Sequence, residues 1–86
     1  MAYWEVTTLK RYGAKDIESY DLINNYGYRF TIDGVKYDIR FWANCYGTAI
    51  NKWRIHSCTK NDSGEYIQMD CKLQVKIENA FNKQVA

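Results

Sequence analysis

Residues 26–44 read YGYRFTIDGVKYDIRFWAN, and the fold is decided there. Asp33-Gly34 separates two alternating runs. A two-residue type I′ turn needs positive φ at both central positions, which Gly adopts freely and Asp tolerates. A turn at that dipeptide sets Ile32 against Val35, Phe30 against Tyr37, Tyr28 against Ile39 and Tyr26 against Phe41. Side chains alternate with period two along a strand, and facing residues share a face. One face of the hairpin is then apolar or aromatic throughout. The other pairs Thr31 with Lys36, Arg29 with Asp38 and Gly27 with Arg40. A slip of one residue would put the whole apolar set in water, so the register is strongly specified.

Outward from the hairpin, the period weakens. Ala2 to Lys10, AYWEVTTLK, is rich in β-branched and aromatic residues and reads as a first strand, with neither face cleanly apolar. Gly13 breaks it. Ala14 to Asn24, AKDIESYDLIN, carries Ile17, Tyr20 and Ile23 at near-helical spacing. Asp16 and Glu18 lie near its start, where the helix dipole favours them, so this segment is expected as a short helix. Cys45 to Thr48 reads as a loop, and Ala49 to Cys58 as the next strand, with Trp53, Ile55 and Ser57 on one face and Lys52, Arg54 and His56 on the other. Thr59 to Gly64, TKNDSG, is a polar turn.

The last segment supports two readings. From Ile67 to Glu78 apolar and polar residues alternate without error, while Met69, Leu73, Ile77, Ala80 and Phe81 also form a helical stripe. A strand from 65 to about 77 with a short helical tail is preferred. A strand ending at Cys71 followed by a helix over 72–84 is the alternative. The strand would be longer than most.

At 86 residues the chain is expected to form a single domain, 1–86, with a modest core. Its fold class reads as α+β: an antiparallel sheet of four to five strands with one or two short helices packed on one face. The aromatic share is high, with eight Tyr, three Trp and three Phe, and the absence of proline argues against a disordered linker. No apolar run approaches the roughly 20 residues of a membrane span. The first residues lack the basic-then-apolar order of a signal peptide. A cytoplasmic protein with no membrane contact is expected.

The residues that carry chemistry are few. The net charge of +2 is too small to announce a nucleic-acid binder. Cys45, Cys58 and Cys71 are an odd set for a disulfide framework and read as reduced thiols. A zinc site would need Cys45, His56, Cys58 and Cys71 to converge, although only His56 and Cys58 are close in sequence. One histidine and no glycine-rich phosphate loop leave little for nucleophilic catalysis. A Cys/His pair lacks any signal of a depressed thiol pKa. Among the carboxylates, Asp33 is taken by the turn and Asp38 by a cross-strand arginine. Asn61-Asp62-Ser63 matches a glycosylation acceptor by chance. No enzyme activity, no cofactor and no metal are expected.

What remains is a surface. The polar side of the hairpin and the following strand gathers Arg29, Arg40, Trp42, Lys52, Arg54 and His56 as candidate partner-binding residues. Tryptophan among arginines is a common composition for protein interfaces, and also for platforms that stack single-stranded bases. The expected function is a small non-enzymatic binding protein that occupies a macromolecular partner's surface, a host protein or nucleoprotein complex. Lys-, Asn-, Tyr- and Ile-rich composition suggests a phage or mobile-element origin, and an anti-CRISPR-like inhibitor of a host system is one form. The alternative is a domain binding single- or double-stranded nucleic acid through the Arg/Trp face. A homodimer pairing its N- or C-terminal strand across a two-fold also fits.

Overall fold

The computed structural model describes residues 4–22, 25–42 and 52–84, without the side chains of Asp21, Leu22, Asn25 and Trp42. Helix α1 (Trp4–Arg11) is followed by strands β1 (Lys15–Leu22), β2 (Asn25–Ile32), β3 (Val35–Trp42) and β4 (Lys52–Ser57), then by helix α2 (Cys71–Asn82). The strands form one antiparallel sheet in the order β1-β2-β3-β4. This is the expected α+β class.

The turn between β2 and β3 carries φ of 51° at Asp33 and 79° at Gly34, as a type I′ turn requires. Every facing pair read from the sequence is present, from Ile32 with Val35 to Tyr26 with Phe41. β4 extends the ladder, setting Ser57 against Tyr37, Ile55 against Ile39 and Trp53 against Phe41. The apolar face thus runs over three strands. Phe30, Ile39 and Trp53 are almost wholly buried there, together with Leu9 of α1 and Ile77 and Phe81 of α2. Burying each such side chain contributes about 1.5–3 kcal/mol. Trp53 is the hub of an aromatic cluster, with the rings of Trp4, Tyr26, Phe41 and Phe81 between 5.0 and 6.2 Å from it.

Three expectations are corrected. First, residues 4–11 form a helix rather than a strand. The tract Val6-Thr7-Thr8 is poor helix material, but Leu9 and Val6, three residues apart, both reach the core from a helix. The helix stops at Gly13, whose φ is 88°. Gly13 N donates to the Lys10 carbonyl and Ala14 N to the Leu9 carbonyl, at 3.0 Å each. This is the Schellman pattern, and it needs a left-handed residue where Gly13 stands. Second, residues 15–22 form edge strand β1 rather than a helix. Glu18 faces Arg29 and Tyr20 faces Gly27, so the residues that resembled a helix start serve as cross-strand partners. The register shifts between Lys15 and Glu18, and Asp16 takes a φ of 52° there, so β1 is bulged.

Third, the long strand over 65–77 does not form, and the alternative with a C-terminal helix is close to what is seen. Asp70 caps α2, its carboxylate accepting from Leu73 N at 3.1 Å. Helical spacing buries Ile77 and Phe81, leaving Val75 exposed. The expected alternation survives only as an isolated bridge between Lys60 and Tyr66. The polar turn is closed by Asn61, whose side chain accepts from the N–H groups of Ser63 and Glu65. The expected loop at 45–48 and the start of the next strand at 49–51 lie outside the described residues. No helix among the described residues is long and apolar enough to cross a membrane.

Both chain ends therefore carry helices, so the sheet edges are β1 and β4 rather than terminal strands. The β4 edge is closed. Asn82 Oδ1 accepts from Trp53 N at 2.7 Å, Asn82 Nδ2 donates to the Trp53 carbonyl at 3.2 Å, and Glu78 accepts from Ile55 N at 2.9 Å. Two side chains of α2 occupy the places of a fifth strand's backbone. Asn82→Ala should destabilise the protein by about 2 kcal/mol, since two backbone groups lose their partners. Urea denaturation would measure this. A midpoint equal to the wild type would mean that water replaces Asn82 without loss.

Candidate functional site

With both helices on the apolar face, no helix among the described residues covers the opposite face of the sheet. Its side chains fall into rows across the strands. One row runs Glu18, Arg29, Asp38, His56, and the next Tyr20, Gly27, Arg40, Arg54. Lys36 lies on the same face opposite Thr31, and Lys52 is opposite Trp42. Thus Arg29, Arg40, Lys52, Arg54 and His56 do share one face, as their sequence parity requires. The Trp42 backbone register belongs to that face too, while its expected exposure lies outside the described residues. Arg29, Lys36, Lys52, Arg54 and His56 are exposed, and Arg40 is partly covered.

Asp38 is the exception, with 2% of its surface exposed. Its ionic partner is not the cross-strand Arg29. Arg40, two residues along the same strand, places Nη2 3.1 Å from Asp38 Oδ2. Residues i and i+2 of a strand share a face, and the open middle of the sheet brings the two heads together. Arg29 instead lays its guanidinium 5.4 Å from the centre of the Tyr20 ring, with Arg40 at 6.0 Å from the same ring. Gly27 makes room for this stack. A Cβ there would collide with the Ile39 carbonyl and sit 3.0 Å from the Tyr20 hydroxyl.

Residues 58–67 wall one end of the face. Cys58 N donates to the Lys36 carbonyl at 2.8 Å, and Lys36 N donates to Thr59 Oγ1 at 2.9 Å, which stitches the segment to the start of β3. Ile67 N donates back to the Thr59 carbonyl, so the returning chain brings Tyr66 beside the sheet. The Cys58 thiol lies 3.5 Å from Asp38 Oδ2. Between this wall and the sheet is a cavity of about 670 Å³, bordered by Arg29, Lys36, Asp38, His56, Cys58 and Tyr66.

Burial is the first influence on the titrating groups of this face, and the Asp38 charge the second. Desolvation raises the Cys58 pKa, and the Asp38 charge and hydrogen bond raise it further. That works against a nucleophilic thiolate at neutral pH. Desolvation also raises the Tyr20 pKa, with the Asp38 charge adding to it and Arg40 and Arg29 opposing. Burial works against the Arg40 charge, but Asp38 and then Tyr20 outweigh it and move the pKa up. Among the described residues no group of three or more His, Cys, Asp or Glu is placed to hold a metal ion. Cys58 and Cys71 are unbridged and exposed, and Cys45 lies outside the described residues.

The sequence reading left out Lys36, Tyr20 and Tyr66, and weighed Asp38 only as a carboxylate held by a cross-strand arginine and Cys58 only as a candidate zinc ligand. Glu18-to-His56 as a row was readable only once β1 was known to be a strand. Tyr66 was beyond reach, because its place depends on bonds from residues 58–59 to Lys36.

The buried Asp38–Arg40 pair gives one test, and the raised thiol and phenol pKa values give another. Arg40→Gln should cost about 3 kcal/mol by stranding Asp38, and Arg29→Gln under about 1 kcal/mol. Equal losses in urea denaturation would reassign the ion pair. In alkali the signs for Cys58, Tyr20 and Tyr37 agree. Their folded pKa values lie above the ordinary 9.0 and 10.0, so the unfolded chain releases these protons first. Their contribution is complete below pH 9 and is lost as pH rises through the folded values. The denaturation midpoint should fall from about pH 9 upward, and Cys58→Ser should remove the earliest part of the fall.

Comparison of the chain with protein-family models, curated proteins and solved structures finds no match, so what it does has to be read from its own geometry.

Proposed function

We propose that this chain is a small non-enzymatic binding protein that acts in the cytoplasm by laying the open face of its sheet on a macromolecular partner. One observation carries the reading. The open face holds six of the chain's twelve Lys and Arg residues (Lys15, Arg29, Lys36, Arg40, Lys52 and Arg54) but two of its ten Asp and Glu residues, Glu18 and Asp38. A chain of net charge +2 thus concentrates its positive charge on the side its helices do not cover. Such a face complements an acidic surface and speeds encounter with it. A host protein or nucleoprotein complex is the partner this reading assigns. A phage- or mobile-element-borne inhibitor of a host system, acting by occlusion in the anti-CRISPR manner, is its biological form, supported by chain size and composition.

A second reading, single-stranded nucleic-acid binding, is favoured by the cation–tyrosine stacks. Arg29 and Arg40 meet Tyr20 on the sheet, and Lys60 Nζ lies 5.1 Å from the centre of the Tyr66 ring. Aromatic rings beside cations accept bases by stacking.

The test is a triple reversal of exposed cations, Arg29→Glu, Lys52→Glu and Arg54→Glu. A partner captured from the host by the wild type, identified and purified, should bind the variant at least about 100-fold more weakly, at ~1 kcal/mol per lost contact. Undiminished affinity for the folded variant would reject the face as the contact. Anisotropy with labelled single strands at low salt separates the second reading, because phosphate contacts weaken steeply as salt rises.

A further inference from the structure

The two edges of the sheet are treated unequally. A two-residue hairpin closes on a hydrogen-bonded pair, here Ile32 with Val35, and bonded pairs then recur at every second position. Tyr28 and Tyr26 therefore bond to β3, while Arg29 and Gly27 bond to β1 through Glu18 and Tyr20. The backbone N–H and C=O groups of Ser19 and Asp21 are left pointing away from the sheet. The same phase carried to β4 turns Trp53 and Ile55 outward, and these are the groups that Asn82 and Glu78 hold. At β1 nothing takes that part. Among the described residues no hydrogen bond from outside the sheet reaches its outward groups, and Glu18 and Ser19 are exposed.

An unpaired edge accepts a strand, and the charges of β1 say which. Lys15–Leu22 holds three acidic residues, Asp16, Glu18 and Asp21, against one basic, in a chain whose net charge is +2. Glu18 faces Arg29 across the ladder, yet Arg29 turns its guanidinium to the Tyr20 ring, and no ion pair to Glu18 is present among the described residues. With Ser19 and Asp21 in the bonded positions of a new pairing, Glu18 falls at a non-bonded one, where the side chains of antiparallel neighbours come closest. A Lys or Arg there meets an exposed carboxylate. A second copy of the chain is disfavoured, because antiparallel pairing about Glu18 or Ser19 sets the two Glu18 side chains opposite or diagonal to one another. The bulge between Lys15 and Glu18 ends the regular run, so the added strand is short and charge sets its selectivity.

We propose that the β1 edge takes up an extended basic segment of a partner protein as a fifth, antiparallel strand, bonded at Ser19 and Asp21 and carrying a Lys or Arg opposite Glu18. The site lies on the rim of the sheet. It does not rest on docking through the cationic face, which attracts acidic surfaces instead.

Calorimetry and NMR amide exchange on the intact chain test it with an end-blocked peptide, Thr-Lys-Val-Lys-Thr-Lys-Val-Lys, and its counterpart with Glu in place of Lys. The Lys peptide should bind at least ~10-fold more tightly than the Glu peptide and slow exchange at the Ser19 and Asp21 amides. Glu18→Lys should reverse the preference. Placing Lys opposite Glu18 turns the Thr and Val amides of the peptide toward β1, so N-methylation of those amides should abolish binding and N-methylation of the Lys amides should not. Ser19→Pro removes an outward donor at an edge position where proline is tolerated, and should also abolish binding. If that variant fails to fold, the methylated peptides make the same test without altering the chain. Equal binding of the two peptides, unslowed exchange at Ser19 and Asp21, or binding that survives methylation of the Thr and Val amides would overturn the proposal. A dimer of the wild type that Ser19→Pro dissolves would give the edge to a second copy and overturn it too. Partner capture by the cationic face would be unaffected by any of these outcomes.

Discussion

A two-residue reversal at Asp33-Gly34 holds β2 and β3 in one register, and the rest of the molecule follows from it. Because side chains alternate, that register places eight apolar or aromatic residues on one side of the hairpin. β4 adds Trp53 and Ile55 to the same side. An apolar sheet face this large has to be covered, and both helices go there, anchored by Leu9, Ile77 and Phe81. The opposite side is left uncovered by the same logic. Both helices cover the apolar side, and among the described residues only the segment 58–67 flanks the charged one.

Helix α2 has a second duty. Gln74, Glu78 and Asn82 lie four residues apart in a row along the helix. Gln74 donates to Glu78, while Glu78 and Asn82 hold the outer edge of β4. The apolar stripe of the helix fills the core, and its polar row closes the sheet at four strands. An unpaired edge invites pairing with another chain, and here helix side chains meet that demand. The other edge, β1, is managed differently, by a bulge at a left-handed Asp16 and by charged residues along the strand.

Asp38 gives the open face its character. A buried carboxylate in a cationic surface is stabilised by Arg40 and by the Cys58 thiol, whose pKa is raised first by burial and then by the Asp38 charge. Its neighbours are drawn from the strands and from the segment after β4, so the face carries a buried anionic centre within an exposed cationic rim. Rim charges steer and attract a partner.

How much of this was legible can be argued residue by residue. The β2–β3 hairpin, the alternation of β4 and the helical stripe of Leu73, Ile77 and Phe81 were all written locally, because each puts several residues into the core at a fixed spacing. The sharing of one face by Arg29, Arg40, Lys52, Arg54 and His56 followed from parity alone. Residues 4–22 were not legible. α1 contributes Leu9 and Val6 to the core and β1 only Ile17, too few for a period to show, so β-branched content suggested a strand and early acidic residues a helix, each in the wrong place. The perfect alternation over 67–78 was likewise overruled, by the Asp70 cap and by the need to fill the space beside Trp53. The Asp38–Arg40 pair and the cavity wall at Tyr66 were decided only in three dimensions, since both depend on which distant strand lies alongside. Sequence by itself determined the elements whose own side chains build the core, and tertiary packing decided those that merely cover or close it.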